Sequence, residues 1–182
     1  MATVVAAFVA DPAFRYFFPD DQTYAAEAGA FAAHLFDQRV RQGTVWLIDA
    51  GVADGSAGGA VSMWNPPSAA SLPDQPLLDV PTATRARIDA YEAAAHTALP
   101  TEPHWYLGVL ATHPDHAGKR WGRAVMAAGL ERAAADALPA YLETTSASNV
   151  ELYERSGWSV AATVPMPTIQ IRVLRHSGTA QR

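Results

Sequence analysis

WYLGVLATHPDHAGKRWGRAVMAAGLERAAADALPAYLET, residues 105–144, is the stretch that decides the fold. Trp105, Leu107, Val109 and Leu110 form an apolar run continuous enough for a strand buried on both faces, predicted over 104–112. A loop of basic and small residues follows over 114–121. A helix is then expected over 122–138, with Met126, Leu130, Ala133 and Ala137 on one side and Pro139 as its stop. A second apolar strand follows over 140–144. Strand, helix and strand in this order make a βαβ unit, so the two strands are expected to be parallel with a right-handed crossover. Ligands of such units sit at the carboxyl ends of the strands and at the N-terminus of the crossover helix. Here that helix is preceded by Ala117-Gly118-Lys119-Arg120-Trp121-Gly122. Small residues let this backbone turn tightly, and its free N–H groups together with the helix dipole favour an anion. Lys119, the single lysine of the chain, stands there with Arg120 and Arg123. A pyrophosphate-bearing ligand is one reading of that loop, and a solvated charged loop is the other.

Working outward, Ser148-Asn149-Val150-Glu151 has the capping-box form, which predicts a short helix from a Ser148 N-cap through Arg155, closed by Gly157 in the left-handed region. Two final strands are expected over 158–164 and 168–174. Toward the N-terminus, a helix over 2–9 is stopped by Asp11-Pro12, where Asp can cap and Pro can begin a new turn. An aromatic cluster, Phe14, Tyr16, Phe17 and Phe18, ends at Pro19. A second helix is predicted over 22–42, with Tyr24, Ala28, Phe31 and Leu35 on one face and Gly43 after it. Strands over 44–48 and 59–64 flank a glycine-rich turn at 51–58, a hairpin pattern. Asn65-Pro66-Pro67 breaks the second strand, a Pro/Ser/Asp loop runs to 81, and an Ala-rich helix covers 82–99.

Composition narrows the function. At 182 residues the chain is expected to be one domain, 1–182. Hydrophobic residues at 49% and charged residues at 17% exclude a disordered chain. The absence of cysteine removes disulfides, zinc–thiolate sites and thiol nucleophiles. A net charge of -5 argues against a nucleic-acid partner, and no window approaches the roughly 20 apolar residues of a membrane span. The opening 2–10 run has no basic leader and meets Asp11 at once, so a cytoplasmic protein, monomer or homodimer, is expected. His113 and His116 lie in a proline-containing loop with no third ligand nearby, so no metal is expected. Glu143 falls within a buried strand, where a carboxylate is costly unless it has a task or a partner. It reads as a general base acting through water, or as a hydrogen-bond acceptor for loop amides, with His104 a lesser base candidate. Trp64, Phe14, Tyr16 and Phe18, with Tyr106 on the central strand, could wall a substrate pocket or be plain core.

Leu110-Ala111-Thr112-His113-Pro114-Asp115-His116-Ala117-Gly118-Lys119-Arg120-Trp121-Gly122 resembles the acetyl-CoA signature of the GNAT superfamily of N-acetyltransferases. Tyr141-Leu142-Glu143-Thr144, then Asn149 and Tyr153-Glu154-Arg155-Ser156-Gly157-Trp158, resembles that superfamily's second block in the same order. Trp105-Tyr106-Leu107-Gly108-Val109 and the strand at 60–66 are similar to the puromycin N-acetyltransferase-like branch.

The resemblance implies an α/β (α+β) fold: a mixed, mostly antiparallel sheet with two splayed parallel central strands, flanked by helices. It implies that Leu110, Ala111 and Thr112 bind the pantetheine arm of acetyl-CoA. Ala117, Gly118, Lys119, Arg120, Trp121, Gly122 and Arg123 would hold the pyrophosphate, and Asn149 would contact the arm. It also implies that Tyr153 gives a proton to the leaving thiolate. Two departures stand out. The family's loop pattern has Gln or Arg where Ala117 stands and Gly where Arg120 stands. Family members also begin with a strand, whereas this sequence begins in a helix, so either the start lies upstream or the sheet lacks an edge strand. The expected activity is direct transfer of acetyl from acetyl-CoA to a small-molecule primary amine, aminonucleoside or antibiotic-like. The alternatives are a peptide or protein N-acetyltransferase and an acyl-CoA-binding domain that has lost catalysis.

Overall fold

The computed structural model describes residues 1–51, 58–67 and 78–178. Most of the glycine-rich turn expected at 51–58 and much of the loop expected before 81 therefore lie outside the described residues. Helices α1 (Ala2–Ala7), α2 (Pro12–Phe17) and α3 (Tyr24–Arg41) precede strands β1 (Val45–Asp49) and β2 (Gly59–Asn65). Then come α4 (Thr82–His96), β3 (Trp105–Thr112), a 3-10 turn (Pro114–His116), α5 (Trp121–Ala135) and β4 (Ala140–Thr144). Helix α6 (Ala147–Glu154) and strands β5 (Ser159–Pro165) and β6 (Gln170–His176) complete the described chain.

The strands form one six-stranded sheet in the order β1-β2-β3-β4-β6-β5. Only the β3–β4 pair is parallel among these strands, as the βαβ reading of 105–144 requires. The mixed, mostly antiparallel sheet flanked by helices agrees with the expected fold class. One core lies between the sheet and helices α1 to α4 and holds Phe14, Phe17, Phe18, Phe31, Met63, Val109 and Tyr91. The other lies under α5 and holds Trp64, Trp105, Leu107, Met126, Leu142 and Trp158.

Local chemistry accounts for two differences from the sequence reading. The aromatic cluster is itself a helix: the Asp11 carboxylate accepts hydrogen bonds from the Ala13 and Phe14 amides at 2.9 and 3.1 Å, and Pro12 starts the turn. The group that stops α1 thus also starts α2. The capping box does not form. Ser146, not Ser148, stands at the N-cap of α6, and the Ser146 and Ser148 hydroxyls bond each other at 2.9 Å. Thr144 takes up the Ser146 amide instead, at 3.2 Å.

A bulge in β3 controls how the sheet presents its residues. Met63 pairs with Val109 and Trp64 with Leu107, leaving Gly108 as the extra residue. Before the bulge Leu107 faces α5, and after it Val109 and Ala111 face the helices on the other side. Tyr106 and Val109 therefore both point toward the α3–α4 layer.

Candidate active site

The parallel pairing of β3 and β4 covers three residue pairs and ends at Leu107 with Leu142. Beyond it, β3 stays bonded to β2 as far as Thr112, and β4 stays bonded to β6 through Thr144. The two strands therefore part inside the sheet, and backbone groups of 108–112 that face β4 have no strand partner. Such groups need a bond from somewhere. The hydroxyl of Thr145, just after β4, is likewise buried without a partner among the described residues. An extended arm rich in amides would satisfy both edges, so the opening fits pantetheine.

The loop before α5 fits the other end of that ligand. Gly118 has φ +80° and Arg120 φ +60°, so the chain turns sharply into the helix. No side chain caps α5, whose first intrahelical bond is that of the Ala124 amide to the Arg120 carbonyl, at 3.1 Å. The preceding amides are free for an anion. Gly122 lets the helix meet β3, because a Cβ there would stand 2.8 Å from Thr112 Oγ1. Lys119 lies over the Trp121 ring at 4.9 Å and within 3.0 Å of His116 Nδ1, while Lys119, Arg120 and Arg123 are exposed.

From the gap between the strands a cleft of about 820 Å³ runs under α3 and α4. Leu110, Glu143, Thr145 and Tyr153 line it near the strand fork, Asn149 lies at its rim, and Phe14, Phe17, Phe31, Tyr91 and Tyr106 form its apolar wall. Tyr106 donates its hydroxyl proton to Glu143 Oε2, across the point where the strands part. Burial raises the Glu143 carboxyl to about 8, against a smaller lowering by its own amide and by Arg39. The group is therefore poised to exchange a proton near neutral pH. Tyr153, in α6, is pushed up by burial and stays protonated. Its hydroxyl has no hydrogen-bond partner among the described residues. The turn after α6 fixes its place: the Trp158 amide bonds the Tyr153 carbonyl at 3.2 Å, Gly157 takes φ +87°, and the two rings meet edge to face at 6.1 Å.

The remaining sequence candidates divide. Phe14 and Tyr106 line the cleft, whereas Trp64 and Phe18, both 0% exposed, are core and do not reach it. Trp64 lies on the α5 face, which the β3 bulge turns away from the cleft. Tyr16 packs edge-on against Phe17 outside the cleft. Ala111 is buried in the core between sheet and helices, Asn149 is exposed at the rim, and Ala117 is exposed in the loop. His104 bonds the Glu102 carbonyl through Nδ1 at 2.8 Å and lies at the cleft edge. No group of three metal-ligating side chains is present among the described residues.

Sequence reasoning missed Arg39. It is 5% exposed and lines the cleft with His34, Arg85 and Glu92. A signal was present: Tyr24, Ala28, Phe31, Leu35 and Arg39 continue a single helical stripe, so a charge stands where the pattern calls for an apolar residue.

Parallel strands that part inside the sheet and a tight cationic turn at a helix start are the features expected of an acyltransferase that draws on a CoA thioester. The model of the Acetyltransferase (GNAT) family matches residues 11–158, and the chain belongs to that family and is an acetyltransferase. A solved structure described as histone acetyltransferase HPA2 and related acetyltransferase, from Corynebacterium glutamicum, shares the fold. It superposes with a TM-score of 0.66 at 23% identity, over 100% of this chain and 90% of that one. An agmatine N-acetyltransferase superposes at 0.60 with 13% identity, over 96% and 91%. The NatC complex bound to Gag peptide and CoA superposes at 0.51 with 12% identity, over 81% and 77%.

Proposed function

We propose that this acetyltransferase acetylates the primary amine of a small molecule, and that the amine attacks acetyl-CoA directly while both are bound. The observation that carries the reading is the cleft itself, which joins the strand fork to an aromatic wall. Glu143 takes the amine proton, directly or through a water, and its raised pKa matches that task. Tyr153 holds a proton and gives it to the departing thiolate. Amides at the inner edge of β3 meet the thioester carbonyl where negative charge gathers during attack. The chain has no cysteine to carry the acetyl group between substrates.

Phe14, Phe17, Phe31 and Tyr91 suit a flat apolar group, which supports an aminonucleoside or antibiotic-like acceptor. The cleft carries both signs of charge, Arg39 and Arg85 beside Asp11, Glu92, Glu102 and Glu143, so the aromatic wall rather than charge favours a small acceptor over a basic peptide. The test is thiol release from acetyl-CoA with puromycin, other small amines and basic peptides side by side. Turnover of small amines is expected. Turnover of peptides alone would overturn the acceptor class, and acetyl-CoA binding with no turnover on any amine would mean a domain that has lost catalysis.

A further inference from the structure

Among the described residues the Arg39 guanidinium makes one hydrogen bond, from Nη1 to the Leu35 carbonyl at 3.0 Å. Its Nε is buried without a partner among the described residues. No carboxylate lies within salt-bridge distance of it: the ion pairs among the described residues are Arg15–Asp21 and His113–Asp115. Glu143 and Glu92 are its charged neighbours, but Tyr106 already occupies Glu143, and burial raises both carboxyls. The guanidinium is held at the fork. A Cβ on Gly108, the bulge residue, would come within 2.8 Å of Arg39 Nη2, so glycine is what leaves room for it. A charge removed from water with most of its donors unused is costly unless something else binds it.

We infer that Arg39 is an anchor for an anionic oxygen group on the acceptor, a carboxylate standing close to the amine that is acetylated. The inference rests on the acetyl-transfer reading above and narrows its substrate class to amino-acid-like amines with an aromatic or apolar side chain. Three observations fit together. A planar guanidinium matches a carboxylate through paired N–H bonds. Its position over Gly108 places the anchored group beside the end of strand pairing, where the thioester meets the amine. The aromatic wall lies next to it and takes the side chain.

The test compares phenylalanine, phenylalaninamide and phenethylamine as acceptors, which differ in the group beside the amine. Wild type is expected to show kcat/KM at least tenfold higher for phenylalanine than for phenethylamine, the difference residing mainly in KM. In Arg39→Met that ratio is expected to fall to near one, and in Arg39→Lys to recover in part. As a readout independent of turnover, 3-phenylpropionate should bind the CoA-loaded protein in titration calorimetry, and 3-phenylpropanol should not. If Arg39→Met does not fold, Gly108→Ala displaces the guanidinium and is expected to lower the same ratio. Equal turnover of all three amines, or a ratio that survives in the variants, would overturn the anchor while leaving acetyl transfer intact. A preference for phenylalaninamide over phenylalanine would replace the carboxylate with a neutral carbonyl and overturn it too. Carboxylate binding with no acetylation of any amine would uphold the anchor and sink the acetyl-transfer reading.

Discussion

At the scale of single residues, Tyr153 and Glu143 differ in how burial serves them. Burial raises both, but a tyrosine so raised remains an acid at any working pH, whereas a carboxyl at about 8 is half ionised at that pH. Tyr153→Phe is therefore expected to lower kcat by about ten- to a thousand-fold while leaving acetyl-CoA affinity unchanged, as steady-state kinetics and calorimetry would show. For an acceptor of low basicity, kcat/KM should rise through a pH near 8, falling about tenfold per unit below it, and Glu143→Gln should abolish that limb. The same shift has a stability signature. The folded state keeps a proton on Glu143 that the unfolded chain releases near its ordinary 4.5, so this group weakens the fold as pH climbs from there to about 8. Glu143→Gln should melt higher than wild type at pH 8, and the gap should close by about pH 4. Arg120 is a third case. Its φ of +60° explains why the family places glycine there, since a side chain in the left-handed region costs about 1–2 kcal/mol. Arg120→Gly is expected to raise Tm by about 2 °C once glycine's own entropy is set against the relief. Calorimetry on the same variant should show acetyl-CoA bound about tenfold more weakly, because a charge-assisted bond to the phosphates is lost.

At the scale of elements, two helix ends repeat one geometry with different residues. After α6, Gly157 and Trp158 bond back to Glu154 and Tyr153, and after α5, Ala137 and Leu138 bond back to Ala134 and Ala133 at 3.0 Å each. Both turns need a left-handed residue, and α5 uses Ala137 at φ +55°. Ala137→Gly should stabilise the protein by up to about 1 kcal/mol, and Gly157→Ala should cost about 1 kcal/mol, both read by urea unfolding. The Gly157 change should also lower kcat, because that turn aims Tyr153. Such signals were legible in advance because they are local: Gly157 and the βαβ order of 105–144 are visible in a few adjacent residues. The Ser148 box misled because the hydroxyl that capping requires was taken by Ser146, two residues away. Trp64 was unreadable as wall or core, since the bulge at Gly108 decides which face it meets, and Phe18 because its packing on Phe31 joins separate helices. That bulge depends on pairing between strands more than forty residues apart in sequence. Arg39 was legible as a break in a stripe, but its use depends on Gly108, a contact between distant segments.

At the scale of the molecule, the sheet opens between β3 and β4 while its outer pairings hold, and the proposed reaction brings donor and acceptor together at that one fork. Initial-rate plots at several fixed acetyl-CoA concentrations should therefore intersect. Parallel lines with a burst of free thiol before acceptor is added would contradict simultaneous binding.

The seam between Trp64 and Gly129 bears on how such a protein can change. A Cβ on Gly129 would stand 2.1 Å from the indole, so α5 is locked against the sheet with no slack. The helix that would hold the donor is thus anchored to one face, while the aromatic wall proposed for the acceptor is built mainly from α2, α3 and α4 on the other. Substitutions more than about 10 Å apart with no shared partner add nearly independently. Selection, or an engineer, could then rewrite the acceptor side one residue at a time, and each new preference would inherit an unaltered donor site.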